Sequence, residues 1–153
     1  MLRDRSLIPL SHQHQHGLAL CVMIERGLAE DRSAETIAKL ARRVADTFEL
    51  ELRNHFDVEE RILFPAIRET LGLSPQVDGL VADHRRLEGL VARIAATEGE
   101  KRADALLEFA GALSRHIRVE ERELFEDIQQ RLPRESLEEL GRAIDAEVVR
   151  ICL

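Results

Sequence analysis

The chain has 153 residues, enough for one domain with a substantial core, and its 44% hydrophobic and 33% charged residues are the balance of an ordinary folded protein. The lack of Trp and Tyr, with only 8 Gly and 4 Pro, argues against a β-sandwich or barrel and suits long helices with short joins. A net charge of −7 excludes a general attraction to nucleic acid or to anionic lipid.

The opening segment MLRDRSLIPL lacks the apolar run of a signal peptide. The longest unbroken apolar stretch, Leu18 to Ile24, is too short to span a bilayer. A cytoplasmic protein is therefore expected. A first helix is predicted from about Ser11, an acceptable N-cap after Pro9, to about Ala29. Cys21 falls within its apolar run and is expected as a buried core thiol. Cys21 and Cys152 together make neither a disulfide framework nor a CxxC motif.

Asp31-Arg32-Ser33 reads as a turn, with Ser33 capping a second helix from Ala34. Ile37, Leu40, Val44, Phe48, Leu52 and Leu63 form its apolar stripe before Pro65 interrupts the hydrogen bonding, and Gly72 ends the region. Ser74 followed by Pro75 is a cap followed by a first-turn proline, opening a third helix that runs to about Thr97. Glu98-Gly99-Glu100 is read as a turn and the fourth helix runs from about Arg102 to Arg131, where Pro133 stops it. Ser136 and Glu139 suggest a capping box for a shorter helix over about 135–151. The expected fold is all-α: an antiparallel up-down-up-down four-helix bundle over about 11–131, with the additional short C-terminal helix packed across one end or side, in a single domain 1–153.

One internal repeat organises this scheme. His55-Phe-Asp-Val-Glu-Glu-Arg-Ile-Leu-Phe-Pro-Ala-Ile67 matches His116-Ile-Arg-Val-Glu-Glu-Arg-Glu-Leu-Phe-Glu-Asp-Ile128 at His, Val, both Glu, Arg, Leu, Phe and Ile. In an antiparallel bundle the second and fourth helices point the same way, so the two segments can sit at equal depth. A pseudo-symmetric pair of helix hairpins follows.

Residues four apart are neighbours on one helix face. His55 and Glu59 lie on the stripe of Leu52, Phe56 and Leu63, while His116 and Glu120 lie on that of Leu113, Ile117 and Leu124. His84 follows Val77, Leu80 and Val81 and precedes Leu87 and Val91, and His14 shares its face with Leu10, Leu18 and Cys21. Taken singly, each has an ordinary reading: a His on an apolar face is commonly a hydrogen-bonded core residue, and a lone His-xxx-Glu pair a solvated one. Together, four inward histidines and two carboxylates make a metal site the better reading. Two buried carboxylates repel each other and lose hydration, and cations offset that cost.

These residues resemble the hemerythrin-like family, the HHE cation-binding domains. The resemblance rests on His14 in Leu10-Ser11-His12-Gln13-His14, His55-xxx-Glu59, His84 in Asp83-His84-Arg85-Arg86-Leu87, and His116-xxx-Glu120, and covers about residues 7 to 130. It implies two non-haem irons bridged by Glu59 and Glu120, with His14, His55, His84 and His116 completing the ligands. A small diatomic or peroxide ligand would bind at an open iron position. Hemerythrins proper carry a second His four residues after the third-helix histidine, where this chain has Glu88, and end the fourth-helix motif as His-xxxx-Asp, where it has Glu120 and Glu121. The chain thus looks more like the four-His, two-Glu branch, which includes iron–sulfur repair proteins and metal or oxygen sensors.

Some alternatives stay open. Glu88 could fill the missing imidazole's position or stay outside it. His12 and His16, four apart, could form an exposed metal pair of their own. Glu60 and Glu121, rotated by about 100° from the proposed ligands, could orient imidazoles or face solvent. The leading expectation is a di-iron protein that binds or reacts with oxygen, nitric oxide or peroxide. A non-catalytic metal or oxygen sensor or an iron store is the alternative, and a structural bundle with adventitious metal the third. Without Tyr or Trp there is no aromatic radical relay of the ribonucleotide-reductase kind. The sequence names no protein partner.

Overall fold

Four short breaks divide the chain into five helical stretches in the computed structural model, which describes residues 2–150; among these residues there is no strand. The first helix, α1, spans Ile8–Glu30. It begins three residues earlier than Ser11 because Pro9 fits the first turn, where its missing N–H leaves no bond unmade. Ser11 is therefore inside the helix, and its hydroxyl donates to Glu121 Oε1 at 2.6 Å instead of capping. Ser33 does cap the next helix: its hydroxyl accepts from the Thr36 N–H at 3.2 Å.

The second stretch, α2, is one continuous rod over 34–71. It consists of Ala34–Thr47, a π-turn Phe48–Leu52, Arg53–Val58, a second π-turn Glu59–Leu63, and Phe64–Leu71. Pro65 therefore does not stop it, and the rod ends at Gly72, whose φ of 87° only glycine adopts freely. Ser74 accepts from the Val77 N–H at 3.2 Å and opens α3, Pro75–Ala96.

The fourth stretch, α4, covers 99–131 as Gly99–Val119, a π-turn Glu120–Leu124 and Phe125–Arg131. It starts at Gly99, not Arg102, because Gly99 takes φ 58° and turns the chain within Thr97-Glu98. The last helix, α5, is Arg134–Glu147. The capping box of Ser136 and Glu139 is not formed, because the Pro133 carbonyl already accepts the Leu137 N–H at 3.0 Å and leaves Ser136 within the first turn. Val148 is extended, so the helix ends before 151, and residues 151–153, with Cys152, lie outside the described residues.

The stretches form a helical bundle in which α4 packs against α1, α2 and α3. Its apolar interior falls into two clusters. One contains Leu20, Ile24, Val44, Leu52, Leu87, Phe109 and Leu113; the other contains Leu10, Leu63, Phe64, Leu80, Leu124 and Phe125. Each inward histidine sits where its helix passes from one cluster to the other: His14 between Leu10 and Leu20, His84 between Leu80 and Leu87, His55 between Leu52 and Leu63, His116 between Leu113 and Leu124. A polar layer thus separates two apolar ones. Helix α5 lays Leu137, Leu140 and Ile144 on the second cluster, and Gly141 allows its close approach, since a Cβ there would lie 2.9 Å from Ser6 Cα. Cys21 is buried as expected, and burial with the nearby Glu25 charge pushes its thiol pKa up to about 12. No helix among the described residues is long and apolar enough to cross a membrane.

Candidate metal centre

Both π-turns that follow the histidines begin at the inward carboxylates. Phe64 N–H bonds the Glu59 carbonyl, and Phe125 N–H bonds the Glu120 carbonyl, each a wide i→i−5 bond. Proline is not their shared cause, because the position matching Pro65 is Glu126. The repeat places the same backbone irregularity at the same depth twice, and His14, His55, Glu59, His84, His116 and Glu120 are all buried there.

Their side chains form two overlapping groups. His14, His55, Glu59 and Glu120 make one; His84, His116, Glu59 and Glu120 make the other; and within each group the donor atoms lie within 4.8 Å of one another. Each carboxylate is shared between both. Glu59 Oε1 lies 3.0 Å from His55 Nε2 and Oε2 lies 3.0 Å from His84 Nε2. Glu120 Oε2 lies 2.9 Å from His14 Nε2 and Oε1 lies 3.3 Å from His116 Nε2.

These approaches are mostly not hydrogen bonds. Both Glu59 oxygens, Glu120 Oε1 and the Nε2 atoms of His55, His84 and His116 are buried without a hydrogen-bond partner. Buried polar atoms are rarely left so, and six at one spot fit a set of ligands facing cations. The donor set suits the purpose, since imidazole and carboxylate bind iron, zinc and manganese. In the metal-free chain, burial lowers the His55 pKa, but the Glu59 and Glu120 charges outweigh it and raise it to about 9. His116 behaves alike, and Glu120 with the Asp83 hydrogen bond lifts it to about 10. Burial and mutual repulsion raise Glu59, yet its imidazole neighbours leave it below the usual carboxylate range, and Glu120 is held well below it.

The outward nitrogens are also occupied. His14 Nδ1 faces Glu121 Oε1 at 2.6 Å and His84 Nδ1 faces Glu60 Oε2 at 2.9 Å. His55 Nδ1 faces Gln13 Oε1 at 2.8 Å and His116 Nδ1 faces Asp83 Oδ2 at 3.2 Å. A carboxylate can only accept, as can the Gln13 carbonyl oxygen, so Nδ1 carries the proton and Nε2 presents its lone pair to the centre when the ring is neutral. Phe56 stacks on His84 at 4.1 Å between centroids, and Phe125 stacks on His14 at 5.4 Å.

Of the first helix's three histidines, His14 enters the cluster, His12 is exposed, and half-buried His16 pairs with Glu51 at 2.8 Å. Glu88 stays outside the cluster, 3.1 Å from Arg85 Nη1. Glu60 and Glu121, repeat-mates beside the inward carboxylates, take the orienting contacts rather than solvated positions. Gln13 and Asp83 were not singled out from sequence. Their signal was adjacency: each directly precedes an inward histidine of its own helix and reaches the histidine of the next. No curated protein matches the chain. The profile described as the hemerythrin HHE cation binding domain matches residues 9–128, which include all six clustered residues, and the chain belongs to that family.

Proposed function

We propose that the chain holds two iron ions bridged by Glu59 and Glu120, and that a small diatomic or peroxide ligand binds or reacts there in redox sensing, detoxification or iron handling. The observation that carries this reading is the sharing of both carboxylates, each with one oxygen toward His14 and His55 and the other toward His84 and His116. A bound pair of irons supplies reversible electron transfer to or from such a ligand. The protein's own part is to hold four Nε2 lone pairs inward through Nδ1 contacts and to keep water out with apolar clusters above and below. A cavity of about 80 Å³, lined by Asp83, Arg86, Leu87, Ala112, Arg115 and Val119, reaches His116 and is the side from which a small ligand would approach. Links of two or three residues leave each next helix only the return direction, which supports the up-down-up-down course within one domain. A cytoplasmic setting is part of the same proposal.

Protein purified without oxygen after growth with iron is expected to carry about two metal ions per chain, mostly iron, with an optical spectrum that changes on exposure to oxygen. A single zinc per chain, unchanged by iron supply, would overturn the reading. A sensing module without turnover is favoured by one observation. Gln13, which touches His55, also donates to Asn54 Oδ1 and to the Val149 carbonyl, each at 3.1 Å, and Asn54 accepts from the Val149 N–H at 2.8 Å. The segment after α5 is thus tied to one ligand of the centre. Turnover with oxygen or peroxide would decide against that second reading.

A further inference from the structure

The two halves of the centre present the same nearest donors: two imidazoles and one oxygen of each carboxylate. They differ behind the imidazoles. Glu121 behind His14 is matched by Glu60 behind His84, and each of these carboxylates also meets an arginine, Arg3 and Arg85 respectively. The remaining contacts are not matched. His55 is backed by the neutral amide of Gln13, whereas His116 is backed by the carboxylate of Asp83, which the Arg86 charge influences from beyond ion-pair distance.

We infer that Gln13 and Asp83, as positioning residues acting through His55 and His116, make the two halves unequal, so that the His84/His116 half takes up a divalent cation first. The inference rests on the metal-centre reading above. A carboxylate accepts a hydrogen bond about twice as strongly as a neutral amide oxygen, and a charged partner makes the imidazole a stronger donor to a cation. Three features weaken Asp83: its contact is longer, 3.2 Å against 2.8 Å, its side chain is 45% exposed, and the nearby Arg86 charge offsets part of its own. Its negative charge still outweighs them, because the amide contributes no net charge at any distance. Access acts in the same direction. Gln13 is 3% exposed and fastened to Asn54 and Val149, so the His14/His55 half is closed on that side. The small cavity beside Asp83 and His116 leaves that half the more open one, although Arg86 and Arg115 also line it, so openness and not attraction of a cation favours that half.

The test titrates metal-free protein with Zn²⁺, following histidine ¹⁵N resonances and measuring stepwise affinities against a chromophoric chelator. The first equivalent is expected to move His84 and His116, and the second His14 and His55. Asp83→Asn is expected to weaken the first step about tenfold and leave the second in place. Asp83→Glu should restore the first step, and Gln13→Glu should narrow the gap by strengthening the second. Asp83 is partly exposed, so its variants should keep the helical far-UV spectrum of the parent. All four histidines moving together with equal affinities would overturn the inference and leave the metal centre standing. Asp83→Asn leaving the first step unchanged would do the same. Failure of any of the four to respond to zinc would overturn the metal centre itself.

Discussion

The pair α1–α2 and the pair α3–α4 bring equivalent buried groups together, yet only in the first pair is the residue backing the second histidine buried as well. Around His14 and His55 the chain has added Gln13, Asn54, the segment 147–149 and the flank of α5, while around His84 and His116 the backing carboxylate of Asp83 reaches solvent. The difference teaches that the repeat constrains the inward ligands and the matched contacts of Glu60 and Glu121 within it, and not the residues of α1 and α3 that lie outside it. Gln13 and Asp83, which precede the first histidine of each pair and lie outside the repeat, are free to diverge, and there one half is closed by neighbouring chain while the other reaches solvent.

The strongest way to break the comparison is to remove a residue that both halves share. Glu59→Ala or Glu120→Ala is expected to lower metal content in both halves at once, because each carboxylate faces both histidine pairs. Elemental analysis should find well under half the parent's content for either variant, a loss larger than that from Glu60→Ala, which removes only an outward contact at an expected cost of about 10- to 100-fold in affinity. Loss confined to one ion per chain would show that the halves do not share their carboxylates.

The cover can be broken separately. Gly141→Val puts side-chain atoms where even a Cβ would sit 2.9 Å from Ser6 Cα, and is expected to cost about 1–3 kcal/mol in chemical denaturation. Hydrogen exchange should rise near Asn54 and Gln13, while the amides around Asp83 stay as in the parent.

pH acts on both halves together. In metal-free protein His55 and His116 titrate near 9 and 10 when folded, against an ordinary 6.5, so their contribution to stability is full below about 6.5 and is lost as pH rises through 9 to 10. Glu59 and Glu120 lie below their ordinary 4.5, so their contribution is full above that value and is lost as pH falls below it. Metal-free protein should therefore be most stable between about pH 4.5 and 6.5, and thermal melts across pH 4–10 would check this. Metal-loaded protein should move the other way above 6.5, because cations take up the lone pairs that protons otherwise hold. The smallest effect is expected from Glu88→Ala: no change in metal content, and about 0–1 kcal/mol from losing a partly exposed pair with Arg85. A drop in metal content would place Glu88 in the centre after all.

The inward set was legible because it combines two signals, an apolar face and a repeat. The orienting residues were less so, since Gln13 and Asp83 look like ordinary polar positions until a neighbouring helix is placed beside them. The π-turns were missed although their trace is in the spacing. His55, Glu59, Leu63 and Ile67 recur every four residues, as do His116, Glu120, Leu124 and Ile128. Twelve residues at about 100° each overshoot three full turns by about 120° in an α-helix, and one wide turn absorbs most of that drift. Reading steps of three and four as equivalent concealed it. Helix starts were misplaced by three residues at α1 and α4, where Pro9 in the first turn and the positive φ of Gly99 set the start and no side chain caps it.

The division of the interior by its polar layer also bears on how the molecule comes apart. Each apolar cluster is packed within itself, and the histidines and carboxylates meet across the layer without hydrogen bonds among most of their facing atoms. Four helices run through the layer, so what the layer itself adds to cohesion between the two ends comes from its histidine–carboxylate ion pairs or from cations bound in their place. With metal in place the ends should melt as one cooperative unit, with calorimetric and van't Hoff enthalpies in agreement. With the metal stripped and the pH raised until the histidines lose their protons, the layer is expected to be the weakest plane, with the two clusters loosening at separate temperatures.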